Sequence, residues 1–447
     1  MIRPTLMRIQ DEDADRLIQG DIPNHSLAGT GKTLSTLEAV KRAGHDRGLV
    51  LGPLISMEMW KEQTEMWLGA KAQILRSGAD KIKPDTDFVL CPYDLAAGSQ
   101  RARLRAHFNK GALILDEAHY LRGYGSKRSQ AVFGAEYDGD RGFTELFDHV
   151  WSLTGNPVWS HSNDMWTQLV ALFPKVFAQY GVTEYQNFVR SFCVIKWISV
   201  AKNLPKSPKI VASTSSRLLN RIVYHDIGAI RREEALDLPM LTFAPLTVKP
   251  ARLPKHYADM LSKMTDREIE VALKFSPAGP KEELAGLQGV WQALALSVVG
   301  PVVEHIENIS RNSPVLVGVY HTAVGDAYVA ELEKRGLSVG VVRGGVTVKK
   351  REEIRSAFNN GNLDVIVGQM TAMGVSWNLQ AMCHRVVIAQ DCPSASTIEQ
   401  FYKRVQRTGQ TQPVIVDTVM PTHPLSLAIA RMRRAKGAEQ RIVRTGE

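Results

Sequence analysis

Cysteine is scarce in this chain, and none of its cysteines lies in a close pair. The 447 residues contain four cysteines and no C-x-x-C pattern. This scarcity argues against a disulfide-stapled domain and against a cysteine-built metal site. Each of the four lies in or near an apolar run, which predicts buried free thiols in a reducing compartment. The four residues are Cys91, Cys193, Cys383 and Cys392.

Long hydrophobic runs are also missing. The best membrane candidate, LALSVVGPVVEHI, is short and contains Pro301 and Glu304, so we predict no transmembrane helix. The N-terminal stretch MIRPTLMRIQDEDADRL has no apolar core of signal-peptide length and carries four acids early. We therefore expect a cytoplasmic, or otherwise intracellular, protein with no membrane partner.

What is present suits a large globular protein with a polyanionic partner. A chain of 447 residues is too long for one hydrophobic core in most architectures, so two large domains are expected. Hydrophobic residues make up 44% and charged residues 23%, which is enough to bury sizeable cores. The net charge of +9 favours a nucleic acid as the partner.

Short apolar runs alternate with helical periodicity in both halves of the chain. Examples are RGLVLGPL, DFVLCPYDL, GALILDEAH and HVWSLTGNP in the first half, and SPVLVGVY, LDVIVGQM and PVIVDTVM in the second. Apolar strands separated by helices indicate α/β domains, each with a parallel sheet covered on both faces. A proline-rich stretch at about 203–254 predicts a junction. We expect lobe one at 1–240, lobe two at 241–430 and a basic tail at 431–447.

The stretch HSLAGTGKTLSTLEAV is typical of a phosphate-binding loop that opens a helix. In such a loop, glycines let backbone N–H groups approach phosphate oxygens, the lysine reaches the β and γ phosphates, and Ser or Thr holds magnesium. Gly29, Gly31, Lys32 and Thr33 fill those roles, with Thr30 between the glycines. Ser26 stands where the common pattern has its first glycine, the member that touches the phosphates least.

An acidic pair follows a buried strand downstream of this loop. The run ALILDEAH ends in Asp116, Glu117, Ala118 and His119. Carboxylates at the carboxyl end of a strand suit magnesium-nucleotide chemistry. We predict that Asp116 holds magnesium and that Glu117 orients or deprotonates the attacking water. His119 is a candidate bridge to the LTGNP loop, with a simple structural hydrogen bond as the alternative.

Together these residues resemble helicase superfamily two. The SLTGNPVWSHSNDMWTQLVALFP stretch is similar to an element of its Swi/Snf-like branch, as are LVLGPLISMEMWKEQTEMW and IGAIRREEALDLP. In the second half, QFYKRVQRTGQ matches the family pattern Q-x-x-x-R-x-x-R-x-G-Q at Gln400, Arg404, Arg407, Gly409 and Gln410. The stretch LMRIQ resembles the adenine-reading segment, which makes Gln10 the expected base contact.

The resemblance implies two tandem recombinase-like lobes of the P-loop NTPase type, with ATP and Mg²⁺ as cofactors. Lobe two would supply Arg404 and Arg407 as arginine fingers, and Gln400 and His119 would belong to the nucleotide site. AMGVSWNLQAM is similar to another family element, although Met373 and Ser376 stand where glycines are usual, and Asn156 departs from the LTGTP form. The expected nucleic-acid contacts are the turns and loops at Pro53, Thr154, Arg343, Gly345, Trp377 and Asn378. For Trp377, a buried core position is an equal alternative to base stacking.

The resulting hypothesis is an ATP-dependent translocase or helicase on duplex or branched DNA with low sequence specificity. Two alternatives are an RNA-directed helicase of the same superfamily and a nucleic-acid clamp that has lost hydrolysis. The compact two-lobe form is of a kind that a bacterial virus could carry.

Overall fold

The computed structural model describes residues 5–27, 29–134, 142–198, 207–232, 238–262, 281–373, 377–407 and 409–446. They fall into two compact units. Unit 1 comprises Met1–Ile195, Ile210–Leu236 and Glu439–Glu447, and unit 2 comprises Lys196–Lys209 and Asp237–Ala438. Each unit is built around its own parallel sheet.

Unit 1 is an α/β unit whose strands and helices alternate along the chain. Its sheet strands are β1 (Gly48–Gly52), β2 (Ala72–Ile74), β3 (Phe88–Pro92), β4 (Ala112–Asp116) and β5 (His149–Leu153). Its helices are α1 (Arg8–Leu17), α2 (Lys32–Arg42), α3 (Met57–Leu68), α4 (Tyr93–Ala97), α5 (Arg101–His107), α6 (Lys127–Phe133), α7 (Trp166–Leu169), α8 (Pro174–Ala178), α9 (Tyr185–Phe192) and α10 (Ser216–Arg221). Two further strands, β6 (Cys193–Ile198) and β7 (Ser207–Ser213), form a separate two-stranded sheet.

The five strands of unit 1 are arranged in the order β2-β3-β1-β4-β5 and pair in parallel. Every residue of β1 and β3 is buried, as expected for strands covered on both faces. Alternate residues of β1 enter different cores: Val50 packs with Trp60 of α3, whereas Leu49 and Leu51 pack with Leu104 of α5. The apolar runs of the sequence therefore predicted β1, β3, β4 and β5 correctly.

An extended segment at 23–27 continues this sheet beyond β5 and leads into the phosphate loop. Asn24 N–H donates to Ser152 O at 2.8 Å, and Thr154 N–H donates to Asn24 O at 3.0 Å. On its other side, His25 N–H donates to Ile230 O at 2.8 Å. Both bridges of Asn24, to Leu153 and to Ile230, are parallel. The loop thus starts at the carboxyl edge of the sheet, one strand away from β5.

Unit 2 contains the second parallel sheet. Its strands are β8 (Leu241–Val248), β9 (Val315–Val319), β10 (Val339–Val342), β11 (Val365–Gln369), β12 (Arg385–Ile388) and β13 (Val414–Pro421). Its helices are α11 (Lys255–Ser262), α12 (Lys281–Leu296), α13 (Val299–Ser310), α14 (Thr322–Lys334), α15 (Val348–Asn359) and α16 (Ala395–Tyr402). The last helix, α17 (Pro424–Thr445), starts in unit 2, and its residues from Glu439 onward belong to unit 1. The strand order is β10-β11-β9-β12-β13-β8, and all pairs are parallel.

Three elements of unit 2 begin or end at positions that the sequence did not indicate. Strand β8 lies in the stretch that its prolines marked as a junction, and it tolerates Pro245 because it is an edge strand. The helix expected through ASTIEQFYKRVQRTG ends at Tyr402, so Arg404 and Arg407 lie in the turns that follow it. Helix α17 runs through the predicted border at 430/431 and buries Leu425, Ile429 and Met432.

Among the described residues, no single helix is long and apolar enough to cross a bilayer, and one bent pair, Gln288–Leu296 with Val299–Ser310, passes that test of length and composition jointly. Val302, Val303 and Ile306 of this pair are buried in the core of unit 2. All four cysteines are buried and free, as predicted. Burial raises the thiol pKa of Cys91 and Cys383 to about 12, which keeps them protonated and unreactive.

Candidate nucleotide-binding site

The phosphate loop closes with two glycines in the left-handed region and then enters α2. Gly29 has a φ of 87° and Gly31 a φ of 83°, conformations that residues with a Cβ rarely adopt. Helix α2 begins at Lys32, so its free N–H groups and the positive end of its dipole lie at the loop. This local geometry is what an anionic phosphate needs.

Gln10 of α1 lies directly against the loop. A Cβ added to Gly31 would come within 1.9 Å of Gln10 Nε2, so no larger residue fits there. The Gln10 side chain is buried, and its Oε1 accepts a hydrogen bond from Met7 N–H at 3.0 Å. The structure therefore brings the residue predicted to read the adenine into contact with the residues predicted to hold the phosphates.

Ser26 has a structural role that accounts for the missing glycine. The residue is fully buried, and its Oγ accepts a hydrogen bond from Arg232 N–H at 3.1 Å. Leu27 N–H donates back to Arg232 O at 3.0 Å, so the loop is paired with residues 230–232 as it leaves the sheet. A glycine at position 26 would lack the oxygen that satisfies this buried N–H group.

Arg232 is a positioning residue that the sequence indicated only through the resemblance of IGAIRREEALDLP, which contains Arg231 and Arg232, to a family element. Its Nε donates to Asp13 Oδ1 at 2.9 Å, and its Nη2 donates to Glu12 Oε2 at 3.0 Å. Asp13 is 2% exposed, and burial raises its pKa although the guanidinium opposes that rise. Arg232 therefore links α1, which carries Gln10, to the loop that carries Ser26.

The Lys32 side chain is hydrogen-bonded to two carbonyl groups of its own loop. Its Nζ donates to Ser26 O at 2.7 Å and to Leu27 O at 3.0 Å. Burial lowers the pKa of Lys32, whereas the negative charges of Glu117 and Asp116 raise it. The lysine is thus within electrostatic reach of both acids, as the motif predicts, and it is already placed at the phosphate loop.

Asp116 ends β4 with one carboxylate oxygen that has no partner. Among the described residues, no group donates a hydrogen bond to the buried Oδ2. Burial and the neighbouring Glu117 raise the pKa of Asp116 to about 6. A divalent cation would satisfy both conditions, because it supplies positive charge beside the two carboxylates in addition to that of Lys32. The unpartnered oxygen of Asp116 therefore fits the predicted magnesium ion, and Thr33 stays a predicted second ligand.

Glu117 and His119 form a short chain that leads to the LTGNP loop. Glu117 has a φ of 50°, a strained value for a residue with a side chain. Its Oε2 lies 3.1 Å from His119 Nδ1, and the same nitrogen lies 3.1 Å from Thr154 Oγ1. The His119 ring stacks on Trp159, with ring centroids 5.0 Å apart and an interplanar angle of 13°. His119 therefore bridges the acidic pair and the loop after β5, and Trp159 is a second supporting residue that no motif indicated.

In unit 2, the predicted motif residues lie at the end of α16 and in the turns that follow it. Arg404 is 6% exposed, and its carbonyl accepts from Leu379 N–H at 3.0 Å. Arg407 donates through Nη1 to Trp377 O at 3.3 Å, and burial lowers its pKa. Gln400 is half-buried in α16. The predicted roles of Thr33 and Gln400 in binding the nucleotide stay predictions.

The candidate nucleic-acid contacts divide into two groups. Trp377 is 3% exposed, which makes the core alternative correct and removes its ring as a stacking surface. Thr154 is also buried, and its Oγ accepts from Asn156 N–H at 3.1 Å, so its side chain supports the loop. The others keep surface positions: Arg343, Gly345 and Asn378 are exposed and Pro53 is half-buried. Ser376 lies outside the described residues.

Comparison with known proteins agrees with these motifs. Residues 299–412 match the helicase conserved C-terminal domain family. The chain is 23% identical over 432 residues to the chromodomain-helicase-DNA-binding protein 1-like of Danio rerio, covering 87% of this chain and 38% of that protein. It is 25% identical over 314 residues to the Caenorhabditis elegans homolog of SWI/SNF-related matrix-associated actin-dependent regulator of chromatin subfamily A-like protein 1, covering 68% and 41%. The chain therefore spans about two fifths of the length of these curated relatives.

A solved structure, the Sulfolobus solfataricus SWI2/SNF2 ATPase core in complex with dsDNA, aligns with 100% of this chain and 94% of its own at 19% identity and a TM-score of 0.43.

Proposed function

The chain is a Swi/Snf-like member of helicase superfamily two, and from this premise we propose that it is an ATP-driven motor that translocates along DNA or remodels it. One observation carries the proposal. The carboxyl edge of the unit 1 sheet brings Lys32, Asp116 and Glu117 within electrostatic reach of one another. Hydrolysis of a nucleoside triphosphate needs this combination of cation, metal ligand and base.

Lys32 would exchange its present partners for the nucleotide. Its ammonium group now rests on the carbonyls of Ser26 and Leu27, and phosphate oxygens are stronger acceptors for it because they are charged. Thr33 and Asp116 would hold magnesium, which neutralises charge on the phosphates when it is bound. Gln10, buried against Gly31, would contact the adenine.

Glu117 would orient the attacking water and accept its proton. Its carboxylate is held at 3.1 Å from His119, whose ring is fixed by Thr154 Oγ1 and by stacking on Trp159. A rotation of the His119 ring would change its contacts both with Glu117 and with the loop after β5. This chain of contacts is the physical route by which a strand bound near that loop would influence hydrolysis.

Arg404 and Arg407 of unit 2 would act as arginine fingers. The family pattern that contains them is matched without a mismatch, and residues 299–412 match the helicase C-terminal domain. Guanidinium groups offset charge that develops on the transferred phosphoryl group. If they are needed for turnover, hydrolysis depends on lobe closure, and closure and opening supply the step along the strand.

DNA is the favoured track because the relative from Danio rerio is named a DNA-binding helicase-like protein and because this chain carries a net charge of +9. Binding through backbone phosphates should be salt-dependent and low in sequence specificity.

The decisive experiment is steady-state ATP hydrolysis alone and with duplex DNA, single-stranded DNA or RNA, each at two salt concentrations. We expect strong stimulation by duplex DNA that weakens at the higher salt. The Glu117→Gln variant is the matched control, because it should retain ATP binding while hydrolysis stalls. Stimulation by RNA alone would move the proposal to the RNA-directed alternative. Absence of hydrolysis under every condition would favour a clamp and overturn the motor.

A further inference from the structure

The strand pair β6 and β7 forms a hairpin that stands apart from both large sheets. Strand β6 follows α9 directly, and eight residues, 199–206, connect its end to the start of β7. A connection this short allows only an antiparallel pair, because a parallel crossover needs a dozen or more residues. We call β6 and β7 together the basic hairpin. Its two strands pair only with each other among the described residues.

The apolar side chains of β6 are turned to solvent. Trp197 is 66% exposed, and Ile195 and Val194 are 38% and 37% exposed. Because side chains alternate along a strand, Ile195 and Trp197 lie on one face and Val194 lies on the other. Both faces of β6 are therefore uncovered. An isolated two-stranded ribbon with exposed branched and aromatic residues is marginally stable in water, which points to a binding role.

Trp197 differs from every other tryptophan of the chain. Of the eight tryptophans, all of which the structure describes, six are buried: Trp60, Trp67, Trp151, Trp166, Trp291 and Trp377. Trp159 is half-buried and stacks on His119. Trp197 alone presents its indole face to solvent. A large flat ring on an open ribbon is a surface on which another aromatic plane can stack.

The charge around the basic hairpin is of one sign. The 41 residues from Tyr185 to His225 contain no aspartate or glutamate and seven lysines and arginines. This stretch carries +7, compared with +9 for the whole chain. The seven are Arg190, Lys196, Lys202, Lys206, Lys209, Arg217 and Arg221. Lys196 precedes Trp197 and is exposed, and Lys209 lies on the opposite strand.

From the exposed indole and the one-signed charge, we propose that the basic hairpin binds a single strand of nucleic acid, with Trp197 stacking on an unpaired base and the positive charges of Lys196, on the other face of β6, and of Lys209 attracting its phosphates. The occupant is a polyanion because the stretch Tyr185–His225, which contains both strands, carries seven positive side chains and no aspartate or glutamate. It is unpaired because bases inside a duplex are already stacked on their neighbours and offer no free face. Aromatic rings among lysines are the usual platform for single strands.

This inference rests on the proposed function and narrows its substrate. A motor that holds an unpaired base at the basic hairpin would prefer DNA in which duplex and single strand meet, such as a fork, over a blunt duplex. Translocation along duplex would continue without the contact. Separation or displacement of strands would depend on it, because the released strand needs a site to occupy.

The test compares binding of a forked duplex with binding of a blunt duplex of equal length, measured by fluorescence anisotropy. For Trp197→Ala, we expect the Kd for the fork to rise about tenfold, while the Kd for the blunt duplex changes less than twofold. Trp197→Phe keeps an aromatic face and should recover most of the affinity. Met240→Ala is the matched control, since Met240 is 69% exposed and lies outside the hairpin. It should leave both Kd values and DNA-free ATP hydrolysis unchanged.

A second readout uses the wild-type protein and does not depend on the folding of a variant. An exposed indole that stacks on a base loses fluorescence, so a single-stranded oligonucleotide should quench the emission component that iodide also quenches. Equal fork affinity for Trp197→Ala, Met240→Ala and wild type, or no quenching by the oligonucleotide, would overturn the inference. If no nucleic acid stimulated wild-type hydrolysis, the proposed function would fail separately from this result.

Discussion

The catalytic edge of unit 1 and the Q-x-x-x-R-x-x-R-x-G-Q segment of unit 2 use their polar side chains differently. In unit 1, Asp116 keeps a buried oxygen without a partner among the described residues, and Lys32 rests on two carbonyls of its own loop. In unit 2, the amide of Gln410 is engaged with four backbone groups. Its Nε2 donates to Cys383 O and Val405 O, and its Oε1 accepts from the N–H groups of residues 411 and 412.

This difference teaches that a matched motif mixes residues for chemistry with residues for structure. Gln410 already makes the hydrogen bonds that its amide can make, so it has no capacity left for a ligand. Asp116 has a buried oxygen with unused capacity at the carboxyl edge of the sheet, next to Glu117, which is where a bound cation would complete the site. The hydrogen-bond inventory separates the two kinds of residue, whereas spacing in the sequence does not.

The largest effect should come from Lys32→Ala. We expect ATP turnover to fall by about 10³-fold or more, because the cation that meets the phosphates is lost. The free energy of unfolding should change by less than about 1 kcal/mol, since the carbonyls of Ser26 and Leu27 can bond water instead. A coupled ATPase assay and urea unfolding measure the two quantities. Wild-type-like turnover would contradict the phosphate-loop interpretation and the assignment of Lys32 to the residues that act in the chemistry.

Arg407→Ala should come next. Loss of an arginine finger is expected to lower DNA-stimulated kcat by about 10³-fold, with little change in the Kd for ATP. Single-turnover hydrolysis and nucleotide binding distinguish the two effects. Unchanged kcat would mean that Arg407, like Gln410, has a structural role. The model in which lobe closure gates hydrolysis would then fail.

Gln410→Ala should act on stability. Removing several buried hydrogen bonds is expected to lower the free energy of unfolding of unit 2 by about 2 to 3 kcal/mol, because four backbone groups lose their partner. Gln412→Ala is the matched control, since the Gln412 side chain is exposed. Both variants should keep the wild-type Kd for ATP. A large loss of turnover in Gln410→Ala with unchanged stability would show that this glutamine acts in the chemistry.

The smallest effect concerns pH and the strand that feeds the phosphate loop. His25 is fully buried, and burial together with the nearby Lys32 lowers its pKa from 6.5 to about 3. Between about pH 3 and pH 6.5, His25 is therefore protonated in the unfolded chain but neutral in the folded chain. The free energy of unfolding falls as the pH drops below about 6.5. The loss should reach about 2 kcal/mol at pH 5 at most. Urea unfolding of wild type and His25→Asn at pH 7 and pH 5 checks this. The same loss of unfolding free energy between the two pH values in both proteins would contradict it.

Most of the fold could be predicted from the sequence because buried parallel strands are continuous apolar runs. Such runs predict the strands β1, β3, β4, β9 and β11. The segment at 23–27 could not be found, because PNHSL contains little that favours a strand and its hydrogen bonds go to residues more than a hundred positions away. Strand β8 was hidden by Pro245, which only an edge position allows.

The site divides in the same way. The phosphate loop, the acidic pair and the arginines were visible because each chemistry demands particular residue types at fixed spacing. The roles of Ser26, Arg232 and Trp159 were not visible, since they depend on contacts across long sequence separations. Burial of Trp377 was one of two open alternatives, and only packing decided it.

The contact between Gln10 and Gly31 has a consequence for how chains of this plan can vary. A Cβ at position 31 would lie 1.9 Å from Gln10 Nε2, so a side chain at position 31 displaces the end of the Gln10 side chain, whereas a shorter residue at position 10 leaves Gly31 unhindered. Substitutions at the two sites should therefore covary, with any side chain at 31 accompanied by a shorter residue at 10. A substitution at position 31 would then be accompanied by loss of the amide that we predict to contact the adenine, in addition to strain at the left-handed turn of the loop.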